Sequence, residues 1–219
     1  PMTTEKMTIT RALSELKVLD NRISSEIRSA VFCNVSKHTM RTLGGKNISD
    51  VKAEMQGSYD KIVALINRNN AIKKAVNKAN ASTIVSIGGE QMTVAEAIYM
   101  KQIGIDYMKI FLNAMTTQYT NVQSLLQSNN GDKLTKACEA YITGLYGASN
   151  NNNTVSDETV EAINAARAKY IEENTFDLIE GVDTAKAIEN LKNKIDAFEA
   201  EVDAAITVAN AITEIEISY

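Results

Sequence analysis

The chain has no proline after Pro1, and this absence limits its fold more than any other feature of the sequence. A proline inside a helix removes a hydrogen bond and clashes with the preceding turn, so a chain without one can form long, uninterrupted helices. The 219 residues also include only 10 glycines and no tryptophan, which argues against a sandwich of many short strands and tight turns. We therefore expect a mainly α-helical protein.

Apolar residues recur at helical spacing over most of the chain. The predicted helices cover residues 9 to about 30, 49 or 50 to about 79, 94–127, 132–146, 156–173 and 183–213. In two of them, over 94–126 and 188–212, the apolar positions alternate every three and four residues, which is typical of coiled-coil packing. Leu112 is expected to be buried in the first of these seams. The pattern predicts long antiparallel helices with coiled-coil-like packing.

A polar residue, Asn69, interrupts the apolar seam of the second helix. An asparagine in such a seam commonly fixes the register of the packing at some cost in stability. The alternative is that Asn69 caps a helix that ends early, within 67–70. The sequence leaves both interpretations open.

Three segments have strand character. Residues 83–93 predict a hairpin that turns at Gly88-Gly89, followed by a helix whose first turn is closed by a capping box of Thr93 and Glu96. A less regular segment at 31–48 predicts an extended or hairpin excursion around Gly44-Gly45. The C-terminal EIEISY alternates strictly, and its expected partner is the 83–92 hairpin of this chain or of a neighbouring one.

The domain organisation follows from these elements. We expect one elongated helical domain over 1–219, with an insertion or sub-domain allowed at 129–175. Residues 147–154, rich in asparagine, predict an exposed, mobile loop that serves as a hinge or an insertion point. Residues 175–182 predict a short strand or an extended linker.

The sequence carries no constellation of residues that specifies a reaction. His38 is the only histidine, and Cys33 lies five positions before it in a segment expected to be extended, so a catalytic dyad is not favoured. One histidine and two distant cysteines, Cys33 and Cys138, cannot complete a structural zinc site. The carboxylates that cluster from Glu172 to Asp183 lack the spacing of a calcium loop. We predict no catalytic, cofactor-binding or metal-binding residues.

The formal net charge of −4 gives no overall attraction to nucleic acid. Two local groups of basic residues could contact an anionic partner. The candidates are Lys37, Arg41 and Lys46, with His38 beside them, and Lys73, Lys74 and Lys78. No aromatic residues interleave with either group, so stacking on single-stranded bases is not supported.

The N-terminus lacks the apolar run of a secretory signal, and no stretch is apolar enough to predict a membrane-spanning helix. The two cysteines do not form a disulfide framework, and we expect two reduced, partly buried thiols. These features predict a protein made and folded in a cytosol, with no membrane partner.

Four segments carry a resemblance to a known family. They are MTITRALSELKVLDNRI, LINRNNAIKKA, IGGEQMTVAEAIYMKQ and VDAAITVANAITEIEI. Together they resemble the septicolysin-like family of small helical proteins, and most of all its members from tailed bacteriophages. The resemblance covers about half of the chain, and because its motifs mark helix starts and turns, it carries over no catalytic residue.

The resemblance implies a non-enzymatic structural protein of a phage virion, made in the host cytoplasm and placed in the head, neck or tail. Its partners would be further copies of itself and other virion proteins, without a cofactor. The strand character of the hairpin and the C-terminus predicts an oligomer interface. Its candidate residues are Ile215, Ile217, Tyr219, Ile84 and Ile87. The competing hypothesis is a cytosolic regulator or nucleic-acid-binding accessory protein that uses the basic groups.

Overall fold

A computed structural model describes residues 4–147 and 155–219. It confirms that the chain is mainly helical, with small antiparallel sheets of two strands. The elements in chain order are β1 (Thr4–Thr8), α1 (Ile9–Ser29), β2 (Thr42–Leu43), β3 (Lys46–Asn47), α2 (Ile48–Ser82), β4 (Ile84–Ile87), β5 (Glu90–Thr93), α3 (Val94–Tyr99), a π-helical segment (Met100–Gly104), α4 (Ile105–Asn130), α5 (Asp132–Tyr146), α6 (Asp157–Asn174), α7 (Thr184–Ile212) and β6 (Glu214–Ser218).

The chain divides into two compact units. The first unit joins the N-terminal part of the chain, up to Ile105, to Asp196–Tyr219, and the second is the intervening Asp106–Ile195. The sequence suggested a single domain with a sub-domain allowed at 129–175, and the second unit is wider than that range. Most of the asparagine-rich loop predicted at 147–154 lies outside the described residues.

Helices α1 and α2 run antiparallel in the first unit. Their contacts move from Arg68 to Lys61 along α2 as α1 advances from Glu15 to Glu26. Helix α2 continues through 67–70, so the alternative in which Asn69 ends the helix is wrong. Instead, the Asn69 side chain donates a hydrogen bond of 3.2 Å to Oδ1 of Asp20 on α1.

The core of the first unit lies where the β1–β6 strand pair packs against α1 and α2. Its buried residues are Met7, Ile9, Ala12, Leu16, Leu19, Ile72, Val76, Ile215 and Ile217. Side chains alternate across a strand, so the inward Ile215 and Ile217 of β6 alternate with the exposed Glu214, Glu216 and Ser218. Helix-seam residues of α1 and α2 complete the core from the other side.

Within this chain, the predicted pairing of the C-terminal strand with the 83–92 hairpin is wrong. β6 pairs antiparallel with β1, from Thr8 opposite Glu214 to Thr4 opposite Ser218, and not with the 83–92 hairpin. The strand character of β1 is hidden in the sequence because its inward positions are Glu5 and Met7. Glu5 is accepted there because its carboxylate lies 2.9 Å from Nη2 of Arg68.

The hairpins are confirmed. Gly88 and Gly89 join β4 to β5 with positive φ angles of 59° and 81°, which glycine adopts without strain. Gly44 and Gly45 do the same between β2 and β3. The capping box is also present: Thr93 Oγ1 accepts from the Glu96 amide at 3.1 Å, and Glu96 Oε2 accepts from the Thr93 amide at 2.6 Å.

The helix predicted to run without interruption over 94–127 is divided by the π-helical segment Met100–Gly104. Gly104 is buried, and a Cβ added to it would lie 2.4 Å from the Met100 sulfur. Ile98 and Ile105 are separated by one heptad, so the apolar pattern hides this irregularity. The break predicted at 129–131 is confirmed, because α4 ends at Asn130 and α5 begins at Asp132.

The β1–β6 pair and the β4–β5 pair are two copies of one arrangement, which the sequence analysis missed. In each, a long helix ends at a threonine, a strand follows, and its partner strand ends at a threonine that caps the next helix. The carbonyl of Thr213 accepts from Ile9 at 3.0 Å, and that of Thr83 accepts from Val94 at 2.9 Å. The registers also agree, since Thr8 faces Glu214 as Thr93 faces Ile84.

The two copies share short sequence signatures. Ala-Asn-Ala precedes the helix end in both, at 79–81 and at 209–211, and Met-Thr precedes both helix starts, at 7–8 and at 92–93. The inward residues Ile215 and Ile217 of one copy correspond to Val85 and Ile87 of the other, and all four are buried. The first unit is therefore built on an internal repeat.

The second unit contains the pair of helices α5 and α6. The Tyr141 and Tyr170 rings stack with centroids 4.8 Å apart, and Arg167 binds Glu139 through its Nε at 2.9 Å. The segment after α6 forms no strand, so of the two predictions for 175–182 the linker is the observed one. Asn130 holds this linker by accepting from the Phe176 amide and donating to the Phe176 carbonyl, both at 2.8 Å.

Candidate functional site

The structure places the five predicted interface residues in different environments. Ile215, Ile217 and Ile87 are buried in the core of the first unit, with at most 6% of their surface exposed. Tyr219 is partly exposed, but its ring lies 4.8 Å from the Arg68 guanidinium, which also donates to its hydroxyl. Ile84 is 57% exposed and makes no such contact. Of these five residues, Ile84 is the one that presents an open apolar side chain.

Ile84 lies on a groove of about 520 Å³ between β4 and α7, which we call the β4–α7 groove. Its lining residues are Thr83, Ile84, Val85, Ser86, Ala200, Glu201, Ala204, Ala205, Val208, Ala209 and Ile212. Val208 and Ile212 are 59% and 74% exposed, although the heptad pattern predicts Ile212 as a seam residue. The groove is thus an open surface with an apolar lining.

Glu201 is the one charged residue in the lining of the β4–α7 groove, and its carboxylate accepts a hydrogen bond. Oε2 of Glu201 accepts a hydrogen bond of 2.6 Å from the amide of Gly88. Gly88 also lies close to α7, because a Cβ added to it would contact the Ala197 Cβ at 3.4 Å. Small side chains on α7 thus allow the hairpin to approach the helix, and the groove opens farther along.

The edge of β4 that faces away from β5 has no strand partner in the part of the chain that the structure describes. Hydrogen-bonded and non-hydrogen-bonded positions alternate along an antiparallel pair. Thr83 is a hydrogen-bonded position, because its carbonyl accepts from Val94. The backbone groups of Ile84 and Ser86 therefore point away from β5. The groove lies along this outer edge of β4, because the consecutive residues Thr83 to Ser86 line it and none of its lining residues is on β5.

A second exposed apolar surface lies on α4. Tyr107, Ile110 and Phe111 share one face of the helix, and each is more than half exposed. The predicted seam lies on another face of α4; Ile105 at its start is buried, but Leu112 is only partly buried. The expectation that Leu112 occupies a fully buried core is therefore not met.

The two groups of basic residues do not form one surface. Lys37, Arg41 and Lys46 precede the start of α2, whereas Lys73 to Lys78 lie in its last third. The 25 positions from Ile48 to Lys73 rise by about 38 Å. Lys46 is 2.5 Å from a carboxylate oxygen of Glu54, and all six basic side chains are exposed.

The residues considered for chemistry are dispersed. Cys33 and His38 are both exposed, and no hydrogen bond joins their side chains. Carboxylates of the 172–183 cluster serve the start of α7, because Glu180 accepts from the Thr184 amide and Asp183 from the Lys186 amide, both at 3.0 Å. Within residues 4–147 and 155–219, no three His, Cys, Asp or Glu side chains are arranged to hold a metal ion.

Comparison with known proteins adds no relative: no family model, curated protein or solved structure matches this chain. Within the described residues, the helices are also too short or too polar to cross a membrane.

Sequence reasoning missed the β4–α7 groove. Val208 and Ile212 are apolar residues on a regular helix, and such residues are usually assigned to a core. The signal that could have identified them is the repeat, because the aligned positions in the other copy are polar. That alignment depends on recognising the Ala-Asn-Ala and Met-Thr signatures first.

Proposed function

We propose that this chain is a non-enzymatic structural protein of a tailed-bacteriophage virion, placed in the head, neck or tail and assembled with further copies of itself and other virion proteins. Its action would lie in its shape and surfaces: coiled-coil-like packing of helix seams and pairing of strands between chains. The observation that carries the assembly role is the open apolar surface, in which Ile84, Val208 and Ile212 are each more than half exposed. Exposed apolar patches commonly mark protein–protein contacts.

The virion setting is supported by the resemblance to the phage members of the septicolysin-like family. The residues of that resemblance include the parts that build the repeated strand arrangement, since β1, β4 to β5 and β6 overlap the similar segments. The resemblance therefore covers parts of this strand arrangement as well as helix starts.

The test of the virion role is mass spectrometry of purified particles of the phage that encodes this chain. We expect the protein in the particles at a copy number that matches a rotational symmetry of the head, neck or tail. Lysate from the same infection, depleted of particles, is the matched control. Detection in the lysate and not in the particles would overturn the virion assignment.

The runner-up is a cytosolic regulator or nucleic-acid-binding accessory protein. It is supported by Lys73, Lys74 and Lys78, which are exposed and form no ion pair with the carboxylates that the structure describes. This hypothesis predicts retardation of DNA or RNA at low salt that disappears as the salt concentration rises. The triple substitution of these lysines by glutamine should abolish such binding, and no retardation of the wild type would remove the hypothesis.

A further inference from the structure

We infer that the edge of β4 is the interface of a two-fold symmetric dimer, in which β4 of one protomer pairs antiparallel with β4 of a second copy over the β4–α7 groove. This inference deepens the proposed assembly role and rests on it. It moves the strand contact away from the C-terminal strand, whose inward residues are already buried against β1 and α2.

The internal repeat supplies the first argument. Because both copies have the same register, each groove position has a counterpart in the other strand arrangement. Ile84 corresponds to Glu214, Val208 to Lys78, and Ile212 to Ser82. The fold therefore accommodates polar residues at these positions, and the apolar residues of the groove are not needed to build it.

The neighbouring positions show the same contrast. Ala204 corresponds to Lys74 and Ala200 to Asn70. At each of these five positions, one copy of the motif has a polar or charged residue where the other has an apolar one. The groove combines the apolar Ile84 of the α2–β4 copy with four apolar α7 positions of the α7–β6 copy. Apolar side chains at these positions add no stability while they remain exposed to water. If a partner covers them, their apolar area is removed from solvent, which favours association.

The backbone supplies the second argument, which identifies the partner. The outward groups of β4 are the N–H and C=O of Ile84 and of Ser86. If Val85 lies opposite Val85 of a second copy, Ile84 faces Ser86 on both sides of the two-fold axis. Each pair exchanges two N–H···O=C bonds, so four hydrogen bonds satisfy all the outward groups. The edge is complementary to itself.

Charge supports the same partner. A two-fold axis brings identical residues close together, and an unpaired charge would repel its own copy. The one charged residue of the lining, Glu201, is hydrogen-bonded to the Gly88 amide, and the rest of the lining is neutral. A second copy therefore meets no like charge from the groove, while the exposed Val208 and Ile212 add apolar contact area beside the paired strands.

The test is light scattering on the full-length chain over a wide range of concentration. We expect the mass to rise from one protomer to two. The double substitution Ile84→Glu and Val208→Lys introduces at each position the residue that the repeat carries at the counterpart position, Glu214 and Lys78. It should raise the dissociation constant by about a hundredfold or more, because it places charges in the apolar contact of both protomers.

Controls separate this interface from a loss of folding. Val18→Lys changes a 64% exposed residue on α1 and should leave the dimer intact. The milder Ile84→Thr keeps a β-branched side chain and should weaken the dimer without loss of helical circular dichroism. Hydrogen exchange of the segment 83–88 should slow as the wild-type concentration rises, because the Ile84 and Ser86 amides become bonded.

Two results would overturn the inference. A dimer that survives both substitutions is formed by another surface, and the assembly role then stands without this interface. A wild-type chain that remains a monomer throughout also contradicts the inference, and particle mass spectrometry then decides the virion role by itself.

Discussion

Arg68 and Glu15 form a two-pronged ion pair that ties α2 to α1. Nη2 of Arg68 lies 3.0 Å from Oε2 of Glu15, and Nε bonds the other carboxylate oxygen. The same guanidinium contacts Glu5 on β1 and the ring of Tyr219. The Glu15 hydrogen bonds raise the pKa of Arg68 above its ordinary value, despite an opposing effect of burial. One side chain thus joins two helices, the first strand and the last residue.

Replacing Arg68 should therefore destabilise the first unit. We expect Arg68→Ala to lower the free energy of unfolding by about 1.5–3 kcal/mol, because hydrogen bonds to charged groups are lost and two carboxylates remain close together. Urea unfolding measures the change. Arg11→Ala is the matched control, since Arg11 is 67% exposed and Glu5 is its one ion-pair partner among the described residues, and it should cost at most about 1 kcal/mol. Equal losses would contradict the central role of Arg68.

The Thr93–Glu96 capping box should make stability depend on acid. The amide and the hydroxyl of Thr93 donate to the Glu96 carboxylate and lower its pKa. A lowered pKa in the folded state stabilises the protein above the ordinary pKa of the group, and this contribution is lost as the pH falls through the lowered value. The difference in unfolding free energy between wild type and Glu96→Gln should be largest at neutral pH and should vanish in acid.

The repeat provides a control for that experiment. Thr8 caps α1 as Thr93 caps α3, but its third helical residue is Arg11 and not a glutamate. Thr8→Ala and Thr93→Ala should each cost about 0.5–2 kcal/mol. The acid-dependent part should shrink in Thr93→Ala, which removes the hydroxyl donor to Glu96 but keeps the backbone donor, and it should be unchanged in Thr8→Ala. An equal pH dependence in both variants would mean that the Thr93 hydroxyl does not contribute to it.

Loss of β6 should unfold part of the core and not only an exposed edge. Ile217 is 2% exposed and its repeat counterpart Ile87 is also 2% exposed, so Ile217→Ala and Ile87→Ala should each cost about 2–5 kcal/mol. Ile84→Ala, at a 57% exposed position on the same strand as Ile87, should change thermal stability little. A truncation after Thr213 removes β6 and should therefore lower the stability of the fold. Thermal unfolding monitored by circular dichroism detects this loss.

The two thiols should react at different rates. Cys33 is exposed, whereas Cys138 is 1% exposed and packs between α5 and α6, with its sulfur 3.9 Å from the Arg167 carbonyl oxygen. The sequence-based expectation of two partly buried thiols is wrong for Cys33. A thiol-specific chromogenic reagent should titrate one thiol in the native protein and both in denaturant. Cys33→Ser should abolish the fast reaction.

Local patterns predicted the helices well because their causes are local. The side chains of Thr8, Thr93 and Ser156 accept hydrogen bonds from the first turn of the helix that follows, and each is a threonine or serine directly before an apolar period. The glycine pairs gave both hairpins for the same reason. Helix boundaries at 132–146 agree with the prediction to the residue.

Features that depend on distant parts of the chain were not predictable in this way. β1 was missed because Glu5 occupies an inward position, which Arg68 makes acceptable from 63 positions away. The depth of burial along a seam also depends on what packs beside it: Ile72 is fully buried, and Leu112, with the same periodicity, is not. The groove required comparison of two strand arrangements that are far apart in sequence.

The pairing of β1 with β6 has a consequence for the order in which the elements are connected. Thr4 and Ser218 are opposite each other, with their hydroxyls 3.4 Å apart, at the position that corresponds to the tip of the β4–β5 hairpin. A short glycine linker between the two ends, combined with a cut between Gly88 and Gly89, should give a circular permutant in which the strand pairs exchange roles. We therefore expect the first unit to tolerate this change of connectivity, because the corresponding strands and helices pack in the same way in both copies.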